Sequence, residues 1–221
     1  MGNNKIVGAV AAVIILAALS SLYVSLIGLG PRLDSRPHEA LGQAMAREAV
    51  KHLGPGGRIL LVRRDTRLFP NPATDVQMRS FHRELRKTGA SVALTNVVKI
   101  DPLRLVSVPS GDYFQLLKKA SESDVVVSFL GPPVLDVAQL AKLGDKRPKV
   151  VALCSGDMPR QVDLKRAFGE KLLRTAILSR HNAAEPSGLP ATDNPGAWFN
   201  LFFMVATPEN FAELLPQSGQ K

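Results

Sequence analysis

Charged and polar side chains lie just after several short apolar stretches of this 221-residue chain, where they could bind a polar ligand or move a proton. Asp65 lies after RILLV, Asp157 after KVVALC, and the pair Arg180 and His181 after LRTAILS. If the four meet in one crevice, they supply two carboxylates, a guanidinium and an imidazole, a set suited to a polar ligand or to general acid–base chemistry. The alternative is that the aspartates cap helices and the arginine faces solvent. The sequence therefore predicts a ligand-binding site at Asp65, Asp157, Arg180 and His181 and assigns no catalytic residue.

Other reactive residue types show no spacing that forms a known site. Cys154 ends the stretch KVVALC without the first glycine of a G-x-S-x-G nucleophile turn, which favours a buried structural thiol. No metal-pair spacing joins the four histidines, His38, His52, His82 and His181. Neither G-x-G-x-x-G nor G-x-x-x-x-G-K-[ST] follows a predicted strand, so a phosphate-binding loop is not indicated. The sequence thus predicts no metal and no cofactor, and it favours a non-enzymatic protein.

From residue 58 onwards, short apolar stretches alternate with amphipathic ones. Strands are predicted at Arg58–Val62, Ser91–Val98, Asp124–Leu130, Lys149–Cys154, Leu173–Ser179 and Trp198–Val205. Helices are predicted at Pro37–Leu53, Ala73–Thr88, Asp112–Ser121, Val134–Leu143, Gln161–Glu170 and Pro208–Leu215. Repeated strand–helix units favour a parallel sheet with helices on both faces. We therefore predict an α/β fold, a doubly wound three-layer sandwich with a mainly parallel sheet of five to six strands, preceded by one N-terminal transmembrane helix. Ligands of such sheets lie beyond the carboxyl ends of the strands.

Three segments carry a resemblance to a known family: NPATDVQMRSFHRELRKTGASV, GDYFQLLKKASESDVVVSFLGPP and RPKVVALCSGD. They resemble the type I periplasmic-binding-protein fold over roughly residues 57–181. Members of that family close two such lobes on a sugar or an amino acid, and this chain has the length of about one lobe. The resemblance therefore implies the fold, and the ligand is not carried over.

The N-terminal segment Ile6–Leu29 contains no charged residue and predicts a membrane-spanning helix. A cleaved signal peptide ending near Ser20 is the alternative. We accordingly predict an uncleaved signal-anchor and a single-pass protein of the cell membrane, with its soluble domain outside the cytoplasm. The expected division is 1–30 anchor, 31–56 linker and leading helix, 57–215 α/β domain and 216–221 tail.

The formal charge of +9 suits attraction to anionic lipid, and no nucleic-acid motif accompanies it. The expected partners are membrane lipid through the N-terminal helix, and an envelope protein or a second copy of the chain, with no nucleic acid. The leading hypothesis is a membrane-anchored, non-catalytic α/β domain that binds a partner protein or small ligand at the cell envelope. Two alternatives stay open: a homodimeric small-molecule-binding or sensor protein of the periplasmic-binding-protein type, and a small enzyme that uses residues at the carboxyl ends of the strands.

Overall fold

The structure is a computed structural model that describes residues 3–23, 33–99, 108–145, 147–156, 158–180, 190 and 193–214. The chain divides into two compact units, Met1–Asp34 and Ser35–Lys221. Each unit is described by itself.

The first unit contains one helix, α1, which runs from Asn3 to Tyr23. No helix in the described ranges combines the length and the hydropathy needed to cross a membrane. The predicted N-terminal transmembrane helix is therefore wrong. That prediction rested on an apolar run ending at Leu29, and residues 24–32 lie outside the described part of the chain.

The second unit is built on one six-stranded sheet with the order β2-β1-β3-β4-β5-β6. Its strands are β1 (Ile59–Arg64), β2 (Val92–Val98), β3 (Val125–Ser128), β4 (Lys149–Cys154), β5 (Leu173–Ser179) and β6 (Phe203–Ala206). The first five strands are parallel, and β6 pairs with β5 in the antiparallel direction. Strands β1, β3, β4 and β5 are almost wholly buried, as expected for parallel strands covered on both faces.

Helices cover both faces of the sheet. They are α2 (Ser35–His52), α3 (Pro72–Lys87), α4 (Ser110–Lys118), α5 (Val137–Leu143), α6 (Met158–Gln161), α7 (Leu164–Gly169), α8 (Pro195–Phe202) and α9 (Phe211–Leu214). Because side chains alternate along a strand, Ile59 and Leu61 enter one core with α2, α3 and α8, while Leu60 and Val62 enter the other with α4, α5 and α7. The result is three layers: helices, sheet, helices.

The end of the chain departs from the sequence prediction, because Trp198–Val205 is not one strand. Helix α8 occupies Pro195–Phe202, and the strand begins only at Phe203. Asn194 starts the helix by accepting a hydrogen bond from the backbone N of Gly196 at 2.9 Å, and Pro195 suits a first helical turn. The stacked rings of Trp198 and Phe202 lie four residues apart, on one side of a helix.

Candidate functional site

The parallel direction of β1 to β5 brings the carboxyl ends of five strands to one edge of the sheet, called here the carboxyl edge. Arg63 and Arg64 end β1, Lys99 follows β2, and Arg180 follows β5. The carboxyl edge is therefore the place where the predicted site residues must be located.

Asp65 lies at the carboxyl edge, where it forms an ion pair with Arg67. The carboxylate accepts from Nη2 of Arg67 at 2.7 Å, from its Nε at 3.0 and 3.2 Å, and from its backbone N at 3.0 Å. These bonds, chiefly that from the Arg67 side chain, lower the pKa of Asp65 well below its usual value. The helix that follows is capped by Asn71 instead, whose side chain accepts from the backbone N of Thr74 at 3.0 Å. Asp65 therefore stays ionised and does not cap α3.

Arg180 is exposed at the other side of the edge. Its Nε donates to the carbonyl of Phe203 at 3.2 Å, and its backbone N donates to that of Phe202 at 2.8 Å. Strands β3 and β4 lie between β1 and β5, so the ends of β1 and β5 are about 14 Å apart at about 4.8 Å per strand. Asp65 and Arg180 thus form no direct pair. Asp157 and His181 lie outside the described residues, so the four-residue site stays a prediction.

Arg63 and Arg64 point to opposite faces of the sheet. Arg63 lies on the α3 side, where Nη1 donates to the carbonyl of Arg64 at 3.4 Å and its charge acts on His82. The pKa of His82 is lowered, first by burial and then by the charges of Arg86 and Arg63. Arg64 lies on the opposite side, and its Nε is buried without a hydrogen-bond partner in the part of the chain that the structure describes. A buried donor without an acceptor costs about 1–3 kcal/mol, so Arg64 is the residue here whose chemistry is incomplete.

A buried polar group supports the loop after β3. The hydroxyl of Tyr113 donates to the carbonyl of Gly131 at 3.1 Å, and the backbone N of Leu130 donates to Oγ of Ser128 at 3.2 Å. Burial raises the pKa of Tyr113, and it raises the pKa of the Cys154 thiol to about 12. Both groups are therefore protonated at neutral pH, and neither is an activated nucleophile or base. The hydrogen bonds of Tyr113 and Ser128 hold the loop in place.

The backbone conformation of this loop requires a glycine at position 131. Its φ of +91° is one that other residues rarely adopt, and a Cβ there would lie 2.5 Å from Sδ of Met158. The loop after β3 is thus packed closely against the start of α6.

Several exposed apolar side chains also belong to the carboxyl edge. Leu68 is 78% exposed and Phe69 53% in the loop after β1, while Val134 is 59% and Val137 75% exposed after β3. Strands β1 and β3 are neighbours, so the two loops leave the sheet side by side. Exposed apolar groups next to cations are typical of a surface that contacts another molecule.

The amino ends of the strands form the opposite edge, the amino edge, where cations bond to helix ends. Arg147 donates to the carbonyls of Gly144, Glu170 and Leu140 at 2.6, 2.7 and 3.4 Å, at the ends of α5 and α7. Lys149 donates to the carbonyl of His52, the last residue of α2, at 3.0 Å. Arg58 donates to the carbonyl of Lys119 after α4 at 3.3 Å and to the carboxylate of buried Asp124 at 2.8 Å. These cations neutralise the negative ends of helices.

One cation of the amino edge differs from the others. Nε of Arg174 is buried without a partner among the described residues, beside an open depression of about 340 Å³. Two carboxylates, Glu122 and Asp145, and two further cations, Arg147 and Lys149, also line this depression. Arg174 therefore lies near carboxylates of the chain itself, whereas the Asp65 carboxylate next to Arg64 is bonded to Arg67.

The comparisons with known proteins rest on structure. No protein-family model and no curated protein matches the sequence. A periplasmic ribose ABC transporter protein from Conexibacter woesei has a TM-score of 0.50 at 10% identity, over 83% of this chain and 60% of its own. A protein described as a LacI transcriptional regulator from Bacteroides fragilis has a TM-score of 0.48 at 13% identity, over 81% and 62%. An Agrobacterium radiobacter carbohydrate transporter solute-binding protein, solved with D-arabinose, has a TM-score of 0.45 at 12% identity, over 83% and 64%.

The match to the Conexibacter woesei protein confirms the predicted resemblance to the type I periplasmic-binding-protein-like fold. The chain spans between 60% and 64% of the length of these three proteins.

Sequence reasoning found the strand ends but did not single out Arg64. Its position at the end of an apolar strand was visible, and strand alternation would have placed it on the face of Leu60 and Val62. The sequence does not show whether an acceptor from another helix, strand or loop reaches Nε of Arg64. The ion pair of Asp65 with Arg67 was easier to predict from the sequence, because the two residues are only two positions apart.

Proposed function

We propose that this domain is a non-catalytic binding domain whose carboxyl edge holds a small ligand bearing a carboxylate or phosphate group. The observation that carries the proposal is the buried Nε of Arg64, which has no acceptor among the described residues. A guanidinium presents donors in a planar arrangement that matches two oxygens of a carboxylate or phosphate. A ligand of this kind supplies the acceptor that the fold leaves out.

The charges around Arg64 support an anionic ligand. Arg63 is the preceding residue, and Lys99 directly follows Val98, the residue that pairs with Arg64. The nearby carboxylate of Asp65 is neutralised by Arg67. These cations therefore attract an anion to the end of β1. In the described loop, no free carboxylate repels it.

The fold supports a small-molecule ligand and a location outside the cytoplasm, both of which we propose. The Conexibacter woesei protein with this fold is described as a periplasmic ribose transporter protein. We expect the ligand of this chain to be a polar metabolite such as a sugar acid or a sugar phosphate, since Arg64 favours an anionic group over a neutral sugar.

Thermal stabilisation and calorimetry of the full chain test the proposal. A panel of ribose, gluconate and ribose 5-phosphate should show binding of an anionic member, and Arg64→Met should weaken it about tenfold or more. Arg79→Met is the matched control, because Arg79 is an exposed arginine on α3 that has no described ion pair. Binding only of neutral ribose, or equal binding by the two variants, would contradict the assignment.

A protein partner is the second candidate function. The exposed side chains of Leu68, Phe69, Val134 and Val137 favour it, because apolar groups on adjacent loops are typical of protein contacts. Val137→Ser, on the exposed face of α5, should then weaken capture of that partner, whereas Arg64→Met should weaken only ligand binding. Retention of the partner by Val137→Ser would remove this candidate.

A further inference from the structure

We propose that the depression at the amino edge is a second binding site, which takes a free amino acid. The carboxylate of the ligand contacts Arg174, and its ammonium group contacts the carboxylates of Glu122 and Asp145. The depression has a volume of about 340 Å³ and is lined by the loops before β1, β3 and β4 and by the start of β5. It lies at the opposite end of the strands from Arg64, so binding here does not depend on the ligand proposed for the carboxyl edge.

An irregularity in β5 brings Arg174 to this depression. Leu173 pairs with Val150 of β4, and the next residue of β4, Val151, pairs with Thr175. Arg174 is therefore an extra residue in the strand, a β-bulge. Bulges change the direction of a side chain and are frequent next to functional sites. Leu173 and Thr175 are fully buried, whereas Arg174 is only half-buried and lines the depression.

The side chain of Arg174 has one donor without an acceptor. Its Nε is buried and has no hydrogen-bond partner among the residues that the structure describes. Glu48 of α2 accepts from the hydroxyl of the adjacent Thr175 at 3.1 Å and lies 3.7 Å from Nζ of Lys51, so that carboxylate is already bound elsewhere. A buried donor without an acceptor is costly, and charge-assisted hydrogen bonds are strong. A ligand carboxylate is therefore favoured beside Arg174.

Two carboxylates line the same depression. Glu122 lies in the loop before β3 and Asp145 in the loop before β4, and both are exposed. Neither side chain forms an ion pair or a hydrogen bond with another described residue. The other two cations of the depression are bonded to the chain, since Arg147 donates to three helix-end carbonyls and Lys149 to the carbonyl of His52. Glu122 and Asp145 thus attract a positively charged group of a ligand.

The charges of the depression favour a ligand that carries both signs. A simple anion is attracted by Arg174 but repelled by the two carboxylates, and the reverse holds for a simple cation. Strand β4 lies between β3 and β5, so Glu122 and Arg174 are held by strands about 10 Å apart at about 4.8 Å per strand. Their long side chains narrow this gap to the size of a small zwitterion. The remaining lining residues, Gly54, Pro55 and Ser123, are small and leave room for the side chain of an amino acid.

Isothermal titration calorimetry of the full chain tests the proposal with a panel of the standard amino acids, and with acetate and ethylamine as ligands of a single charge. At least one amino acid should bind, and acetate and ethylamine should bind at least about tenfold more weakly. Arg174→Met should weaken amino-acid binding about tenfold or more, and Asp145→Asn about threefold or more. Arg79→Met and Asp112→Asn are the matched controls, because they remove the same charges from exposed positions of α3 and α4.

The Arg64→Met variant separates this site from the one proposed at the carboxyl edge, since it should leave amino-acid binding unchanged. A circular-dichroism spectrum and melting temperature like those of the parent would show that Arg174→Met is folded, and Asp145→Asn changes only an exposed side chain. Absence of binding by every amino acid at millimolar concentration would overturn the proposal. So would acetate that binds as tightly as the best amino acid, or amino-acid binding that neither Arg174→Met nor Asp145→Asn weakens.

Discussion

The two edges of the sheet are both rich in arginine and lysine, but the partners of these side chains differ. At the amino edge, Arg58, Arg147 and Lys149 donate to carbonyls at the ends of four helices. At the carboxyl edge, Arg64 has a buried Nε without an acceptor among the described residues, a condition that only Arg174 shares at the amino edge. Helix C-termini, with their unpaired carbonyls, lie at the amino edge of a parallel sheet, so cations find acceptors there. Arg58, Arg147 and Lys149 thus stabilise the fold, whereas we propose that Arg64 binds a ligand.

The largest effect should come from the buried carboxylate of the amino edge. Asp124→Ala removes the acceptor for Arg58 and for the backbone N of Ser121 and should lower the free energy of unfolding by about 3 kcal/mol. Urea denaturation measures it. Asp136→Ala, at the exposed N-cap of α5 on the other edge, should lose only about 1 kcal/mol. Equal losses would break the comparison.

The same carboxylate predicts a pH dependence. Burial alone raises the pKa of Asp124, but hydrogen bonds from Arg58 and Ser121 outweigh it and hold the pKa at about 2, below the usual 3.8. Because the folded pKa is the lower one, the stabilisation is present above pH 3.8 and is lost as the pH falls towards 2. Between pH 4 and 2 the parent should lose about 2 kcal/mol more than Asp124→Ala. A constant difference over that range would contradict the assignment.

At the carboxyl edge, the loop after β3 should depend on close packing. Gly131→Ala should destabilise the domain by about 1.5 kcal/mol, mostly through its positive φ, because the end of the flexible Met158 side chain that the new Cβ meets can shift at small cost. Gly156→Ala is the matched control: its φ is +60° but nothing lies within 4 Å of the added Cβ, so about 1 kcal/mol is expected. Thermal denaturation of both variants separates the packing effect from the backbone effect.

A substitution of Arg147 tests whether cations of the amino edge stabilise the ends of helices. Arg147→Met removes donors to α5 and α7 and should cost about 1 kcal/mol in the free energy of unfolding. Arg166→Met, which loses an exposed pair with Glu170, should change it by less than about 0.5 kcal/mol. A loss for Arg147→Met no larger than that for Arg166→Met would show that these bonds add little.

The smallest effect on stability should be that of Arg64→Met. The variant removes a donor that has no acceptor among the described residues and keeps the apolar stem. The free energy of unfolding should therefore fall by less than about 0.5 kcal/mol, or it should rise. A loss of about 2 kcal/mol or more would mean that Arg64 has a structural role, and the difference between the two edges would disappear.

The inner strands were readable from sequence because a buried parallel strand is a short unbroken apolar run, as VVVS of β3 and KVVALC of β4 are. The structure of the segment from Trp198 to Val205 was not, since an apolar aromatic run fits a helix and a strand equally well. Asn194 and Pro195 favour the helix, because they form its N-cap and first turn. The transmembrane prediction was wrong, since no helix in the described ranges combines the necessary length and hydropathy. For the candidate site, the sequence showed where the strands end. It did not show the order of the strands in the sheet, which separates Asp65 from Arg180.

The buried thiol of Cys154 gives this chain a built-in reporter of its own opening. It is the single cysteine, it is 0% exposed, and burial holds its pKa at about 12. A thiol reagent therefore reacts only with molecules in which β4 has become accessible. The labelling rate in dilute denaturant measures how often the centre of the sheet opens, and a ligand on the carboxyl edge should slow it in proportion to its occupancy.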